Sequence, residues 1–260
     1  MATNYQDLIV LFGDSLTQMS WGPEVGGIGT RLAGASILIT ASTVALYIVQ
    51  RRRFVRTQTR CPQPRILWLQ YRLGAASLGT STLIRRQFIY SNSSLRTRLG
   101  QIMPKHKGPG VQPHTPRVRL LTIWFGGNDA VLPGFRQHVP ISRFSENLGT
   151  MVRAIRTPES PWYSPETKIF LITPPPIHVP SMRADMQPTR EFDNTRAYAD
   201  EVKKVGEAEG VPVVDAWTGV WEAARKDKEA VKAFLTDGLH LSKAGYEVSQ
   251  AVELNSGNLR

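Results

Sequence analysis

The sequence predicts a single α/β domain, a three-layer sandwich around a mainly parallel sheet. Two observations carry this prediction. Four short runs rich in apolar and β-branched residues are bounded by turn residues, as is typical of buried parallel strands. They span 7–12, 117–125, 167–173 and 211–216. Stretches with helical apolar spacing separate these runs, and strand–helix alternation places helices on both faces of a sheet through right-handed crossovers.

Helices are predicted between and after these strands, over 142–156, 192–209 and 225–234. A last helix should run from Lys243 to about Val252, with Ser242 as its N-cap. The 260 residues fit one domain, 1–260, with an atypical basic segment at 36–100. In such a fold the active site lies beyond the carboxyl ends of the strands.

Three polar blocks lie where that edge is expected. Gly-Asp-Ser-Leu-Thr occupies 13–17 directly after the first strand, and Phe-Gly-Gly-Asn-Asp occupies 125–129 at the end of the second. Asp-Gly-Leu-His occupies 237–240. A serine hydroxyl needs a base to take its proton, and the base needs a carboxylate that fixes its tautomer. Each block alone is also an ordinary turn, so their combination carries the prediction.

The blocks, with further stretches at 118–130, 136–140, 172–176, 197–200 and 238–246, resemble the SGNH (GDSL-type) hydrolase family. Within that family they look like the fungal isoamyl-acetate-hydrolysing esterases. The resemblance covers roughly 5–35 and 101–247. It implies a flavodoxin-like sandwich and a carboxylic ester hydrolase that acts on short-acyl, acetate-type esters through an acyl-enzyme.

The resemblance also implies residue roles. Ser15 is the expected nucleophile, His240 its base and Asp237 the partner of that base. The expected oxyanion hole combines the Ser15 backbone N–H with the Asn128 side-chain amide. No cofactor is implied. No metal site is expected either, because the five histidines lack the Cys or carboxylate spacing of such sites.

The net charge of +11 would ordinarily suggest nucleic acid or an anionic membrane as a partner. However, residues 36–100 hold eleven Arg and no Lys, Asp or Glu, so this segment carries the whole excess. No acidic residue occurs from Val25 to Asn128. A functional basic surface normally interleaves acids, so we expect neither nucleic acid nor a membrane as a partner. The resemblance implies a small ester as the substrate.

The basic segment departs from the family. The family has its second strand, which lies beside the first, and its second block, Asn-Arg-Gly-x-Ser-Gly-Tyr-Asn-Thr, at the position of 60–73. Here that stretch is rich in Arg and Pro, so it is a poor candidate for the second strand, and Trp68 replaces a glycine whose N–H is the family's third oxyanion donor. A one-nucleotide shift of the codons for Trp68 and Leu69 necessarily gives glycine. Codons permitted for 56–73 then encode the missing block. We therefore interpret about 36–100 as intron read-through and frame-shifted exon.

A lineage-specific basic insertion is the alternative to a frame shift. A continuous, spliced transcript that encodes the segment as written would contradict the frame-shift hypothesis. Two functional alternatives to an active esterase stay open. One is a catalytically impaired relative of the family, as a frame-shifted product would be, and the other is a basic protein that binds nucleic acid or an anionic surface through 36–100. A deacetylase or thioesterase of the same fold is a further alternative.

The sequence predicts a cytoplasmic protein. Its lone cysteine, Cys61, fits a reducing compartment, and residues 1–7 show no start of a secretory signal. An apolar run at 37–49 precedes three arginines but has only about 13 residues, short of the roughly 20 that span a bilayer. We therefore expect no transmembrane helix there.

Overall fold

A six-stranded sheet forms the centre of the computed structural model, which describes residues 8–20, 43–49, 54–60, 103–106, 108 and 117–255. The strands are β1 (Leu8–Gly13), β2 (Thr43–Val49), β3 (Phe54–Arg60), β4 (Val118–Trp124), β5 (Lys168–Ile172) and β6 (Val213–Val214). Their spatial order is β3-β2-β1-β4-β5-β6, and only β3 pairs antiparallel, with β2. The predicted mainly parallel sheet is confirmed.

Helices cover both faces of this sheet. They are α1 (Ser15–Met19), α2 (Ile141–Arg156), α3 (Phe192–Glu209), α4 (Ala216–Ala223) and α5 (Lys243–Asn255). Short 3₁₀ turns lie at Val179–Ser181, Gln187–Thr189 and Ala230–Phe234. The predicted helices at 142–156, 192–209 and from Lys243 are therefore present.

The strand β4 shows how its alternating side chains build a core on each face. Leu121 and Ile123 are buried with residues of α2 and α3, whereas Leu120 and Trp124 are buried with residues of α4 and α5. A strand with apolar residues on both faces must lie between two layers, because successive side chains point to opposite sides. This alternation fixes the three-layer arrangement.

The predicted helix at 225–234 is wrong. A helix instead begins earlier, at α4, because the Asp215 carboxylate caps its N-terminus and accepts a hydrogen bond from the Thr218 N–H at 3.0 Å. It ends at Ala223, and Arg225 and Lys226 follow with φ values of 53° and 61°. Such positive φ values cannot continue a right-handed helix, so only the 3₁₀ turn Ala230–Phe234 forms within the predicted range.

The strand beside β1 does not lie where the family has its second strand. It comes from β2, within the apolar run at 37–49, and not from the Arg- and Pro-rich block at 60–73. The sequence Thr-Val-Ala-Leu-Tyr-Ile-Val of β2 is rich in residues that favour strands. Residues 61–73 lie outside the described residues, and both interpretations of 36–100 remain predictions. Within the described ranges, every helix is too short or too polar to cross a bilayer.

Candidate active site

Ser15 lies at the first position of α1, directly beyond the carboxyl end of β1. The chain turns here at Gly13, where a Cβ atom would collide with the Thr17 hydroxyl and the Trp124 carbonyl oxygen. Glycine is therefore required for this close approach. The buried Asp14 carboxylate accepts the Leu16 N–H at 3.0 Å and holds the turn. The Ser15 side chain stays partly exposed at the end of the sheet.

A tight turn before α5 carries Asp237 and His240. Its ends are held by an isolated bridge between Leu235 and Leu241, and the Thr236 N–H donates to the His240 carbonyl at 2.8 Å. Gly238 has a φ of 82°, and a Cβ there would lie 2.5 Å from the His178 carbonyl oxygen. The turn therefore needs a glycine at this position, which explains the Asp-Gly-Leu-His pattern.

The structure brings Ser15, His240 and Asp237 into one hydrogen-bonded chain. The His240 Nε2 atom lies 2.8 Å from the Ser15 Oγ atom, and the His240 Nδ1 atom lies 2.7 Å from the Asp237 Oδ2 atom. An ionised carboxylate only accepts, so Nδ1 carries the proton and Nε2 is free to accept the serine proton. This is the arrangement that activates a serine hydroxyl for nucleophilic attack.

The Asp237 carboxylate is stabilised in its ionised form. Partial burial raises its pKa. This effect is outweighed by hydrogen bonds from the backbone and ring of His240, by the positive charge that His240 can carry and by the hydrogen bond from the Leu239 N–H. The pKa of Asp237 therefore lies below its usual value. Asp237 is the more exposed partner, at 52% against 18% for the His240 side chain. The carboxylate can orient the imidazole while solvent moderates its charge.

Asn128 lies on the loop after β4, beside Ser15's turn. Its Nδ2 atom donates to the Asp14 Oδ2 atom at 2.9 Å. Its Oδ1 atom accepts from the Gln137 Nε2 atom at 3.0 Å and from the Arg190 Nη2 atom at 3.4 Å. A primary amide has two donor hydrogens, so the bond to Asp14 leaves one for another acceptor.

Gln137 and Arg190, which contact Asn128, were not predicted from the sequence. Gln137 falls within the 136–140 stretch that carried the family resemblance, and this position was its only signal. Arg190 is 62 residues from Asn128 in the chain, and no local pattern connects the two. Trp68, which stands where the family has the glycine of its third oxyanion donor, lies outside the described residues. No group of three or more His, Cys, Asp and Glu side chains among the described residues is arranged to hold a metal ion.

A second carboxylate lies close behind Asn128. The Asp129 Oδ2 atom accepts the Gly126 N–H at 3.1 Å. Burial, followed by the negative charge of Asp14, raises the pKa of Asp129 to about 7. Burial likewise raises the pKa of Asp14. Two carboxylates that share a site compete for negative charge, so at least part of this pair is protonated at mildly acidic pH.

Asp129→Asn should stabilise the protein, and the gain should grow with pH. The unfolded chain loses this proton near pH 3.8, whereas the folded chain keeps it until about pH 7. The free energy of unfolding of the native protein therefore falls across that interval, and the variant lacks this loss. We expect the free energy of unfolding of the variant to exceed that of the native protein by about 2 kcal/mol at pH 7. This is roughly half of the free energy that corresponds to the pKa shift, because Asp129 is partly exposed to solvent.

Urea unfolding of both proteins at pH 4 and pH 7 measures this gain. Asp185→Asn is the matched control, since the Asp185 side chain is 67% exposed. A gain for Asp129→Asn that is equal at the two pH values would contradict the prediction.

Comparison with known proteins places these residues in a wider context. The sequence model of the GDSL-like lipase/acylhydrolase family matches residues 11–248. The isoamyl acetate-hydrolyzing esterase 1 homolog of Mus musculus is 31% identical over 186 residues, which are 67% of this chain and 70% of the mouse protein. Its Rattus norvegicus counterpart is 29% identical over 249 residues, 92% of this chain and 76% of the rat protein.

The crystal structure of a lipase/acylhydrolase from Enterococcus faecalis has the same fold. It superimposes with a TM-score of 0.52 at 21% identity, over 98% of this chain and 96% of the bacterial one. At this identity the likeness concerns the fold alone, and it agrees with the observed α/β sandwich.

Proposed function

Because this chain belongs to the GDSL-like lipase/acylhydrolase family and is a carboxylic ester hydrolase, we propose that it works as a serine esterase on short-acyl esters. The single observation that carries the mechanism is the hydrogen-bonded chain from Ser15 through His240 to Asp237, with contacts of 2.8 and 2.7 Å. All three side chains come from two turns that meet beyond the carboxyl ends of the strands.

The proposed reaction begins with the Ser15 Oγ atom, which attacks the ester carbonyl carbon while the His240 Nε2 atom takes its proton. The carbonyl oxygen becomes an oxyanion. When the oxyanion collapses, the C–O bond to the alcohol breaks, and the alcohol leaves with the proton from His240. Ser15 then carries the acyl group as an ester. Water attacks the carbonyl carbon of this ester and gives one proton to His240. The bond between that carbon and the Ser15 Oγ atom then breaks, His240 returns the proton to Oγ, and the acid leaves.

The oxyanion needs donors that already point at it. The Ser15 backbone N–H at the start of α1 is one candidate, because the first N–H groups of a helix have no partner within the helix. The remaining amide hydrogen of Asn128 is the second, since only one is used by Asp14. Both groups lie on turns that are fixed by buried residues, and fixed donors lower the barrier most.

The acyl preference is inferred from the relatives. Two proteins about 30% identical to this chain are named for the hydrolysis of isoamyl acetate, the acetate of a small aliphatic alcohol. We therefore propose acetate-type esters as the substrate class.

A series of p-nitrophenyl esters tests this substrate class. The kcat/KM value should be highest for the acetate and should fall by about tenfold or more to the butyrate. In a pocket that fits two carbons, each excess methylene weakens transition-state binding by roughly 1–3 kcal/mol. The octanoate should be hydrolysed more slowly still. The Ser15→Ala variant serves as the blank for each ester. A kcat/KM value that rises from the acetate to the octanoate would contradict the proposed short-acyl preference.

A further inference from the structure

Both the nitrogen and the oxygen of the Asn128 side-chain amide are hydrogen-bonded to other side chains. On one side the Asp14 Oδ2 atom accepts from Nδ2 at 2.9 Å. On the other side two donors converge on Oδ1, Gln137 at 3.0 Å and Arg190 at 3.4 Å. No sequence motif of the three polar blocks includes either of these two donors.

Arg190 is built into the structure around this amide. Only 3% of the residue is exposed, and its Nη1 atom also donates to the carbonyl oxygen of Gly127, the residue before Asn128. Buried arginines are rare unless their donors are used. Arg190 therefore holds both the Gly127 backbone and the Asn128 side chain in the loop after β4.

Two loops bring the donors to Asn128. Arg190 follows the 3₁₀ turn Gln187–Thr189, which is joined to the loop after Asn128 by a 2.9 Å hydrogen bond from the Leu132 N–H to the Thr189 carbonyl. Gln137 lies on the far side of that same loop, where the His138 ring contacts the Val131 carbonyl oxygen at 2.6 Å. The two donors are thus fixed by loops that lie outside the three polar blocks.

Two of these contacts fix the orientation of the amide, because the Arg190 guanidinium can only donate and the ionised Asp14 carboxylate can only accept. If the amide were turned by 180°, its NH₂ group would face the guanidinium and the Gln137 amide donor, and its carbonyl would face the Asp14 carboxylate. Donors would then oppose donors and acceptors would oppose an acceptor, which costs free energy in a partly buried site. The Arg190 guanidinium therefore decides which end of the amide faces Asp14, and the bond donated by Gln137 strengthens that orientation. The orientation in turn sets where the second amide hydrogen points.

We propose that Arg190 and Gln137 are positioning residues for catalysis, which orient the Asn128 amide so that its spare hydrogen serves the oxyanion. This inference rests on the proposed esterase mechanism and extends it to two residues that do not touch the reacting atoms. Because oxyanion stabilisation acts on the transition state, loss of this orientation lowers kcat and leaves KM nearly unchanged.

A double-mutant cycle against Asn128→Ala tests the proposal. Asn128→Ala should lower kcat on p-nitrophenyl acetate by about 10²–10³-fold. Arg190→Lys keeps the charge but loses the forked contact, and Gln137→Met removes one donor. Each should lower kcat by at least about tenfold, since small misplacement of a catalytic group can cost up to about 10²-fold. In the Asn128→Ala background the same changes should cost less than about twofold, because the group that they orient is gone.

Several outcomes separate this inference from the proposed function. Arg196→Met, at an arginine whose side chain is 59% exposed, should leave kcat unchanged. If Asn128→Ala itself keeps full activity, the oxyanion role in the proposed mechanism is wrong. If Asn128→Ala is impaired but the Arg190 and Gln137 losses are equally large in its background, the positioning role is overturned. If thermal unfolding shows that Arg190→Lys does not fold, the Gln137→Met cycle decides by the same criterion.

Discussion

Ser15→Ala should lower the turnover of p-nitrophenyl acetate by about 10⁴–10⁶-fold, because removal of a triad nucleophile leaves only the catalysis that the oxyanion donors and binding provide. The 2.8 Å contact between the Ser15 Oγ atom and the His240 Nε2 atom would be lost, and no hydroxyl would remain to form the acyl-enzyme. KM should change little, since the hydroxyl contributes little to ground-state binding. Steady-state kinetics on the purified variant measures both values.

Ser20→Ala is the matched control for this change. Ser20 lies just beyond α1, is buried, and its Oγ atom donates to the Thr17 carbonyl at 2.7 Å. Its removal should lower the free energy of unfolding somewhat and leave kcat within about twofold of the native value. A buried hydroxyl that does not touch the reacting groups acts on activity through folding alone. Native turnover in Ser15→Ala would refute the assignment of the nucleophile.

His240→Ala should impair turnover nearly as strongly, by about 10⁴–10⁶-fold, because the serine would lose its general base. The effects should not add. The double variant Ser15→Ala with His240→Ala should be no slower than either single variant, since the residues act as one unit. A matched control is His106→Gln, a half-buried histidine outside the triad. If the fold-loss of kcat in the double variant equals the product of the two single fold-losses, the two residues do not act in one step and the prediction is wrong.

Much of the fold could be predicted from the sequence because its strands are continuous apolar runs. The strands β1, β4 and β5 lie within one or two residues of the predicted bounds, and α3 begins and ends at Phe192 and Glu209 as predicted. The helix α4 was missed because the signal for its start is a single capping carboxylate, Asp215. Its end depends on the positive φ values of Arg225 and Lys226, which non-glycine residues rarely adopt.

The three residues of the proposed triad could be predicted because each lies in a short motif with its own turn chemistry. Gly13 and Gly238 are required by local close contacts, and such requirements leave a pattern in the sequence. The contacts to Asn128 leave no such pattern. They join residues 9 and 62 positions apart through loops whose paths depend on the packing of the whole sheet. Positioning residues of this kind become visible only when the chain is folded.

The edge of the sheet shows the limit of family resemblance. The family has the strand next to β1 near 60–73, a stretch whose Arg and Pro content made it a poor strand candidate here. In the structure β2 at Thr43–Val49 takes that position, with Leu8 opposite Thr43 and Gly13 opposite Ile48. Strand propensity and apolar content favour 43–49, whereas arginine and proline disfavour the later block. The difference arises because backbone pairing depends on the residues present and not on the position of a motif.

The central claim is that Ser15 forms a covalent acyl-enzyme, and intact-protein mass spectrometry after reaction with an active-site-directed organophosphate tests it most directly. One phosphoryl adduct should form on the native protein, in step with the loss of activity, and peptide mapping should place it on Ser15. His240→Ala should be labelled far more slowly, because the hydroxyl lacks its base. An adduct on another serine, or labelling of Ser15→Ala at the native rate, would contradict the account.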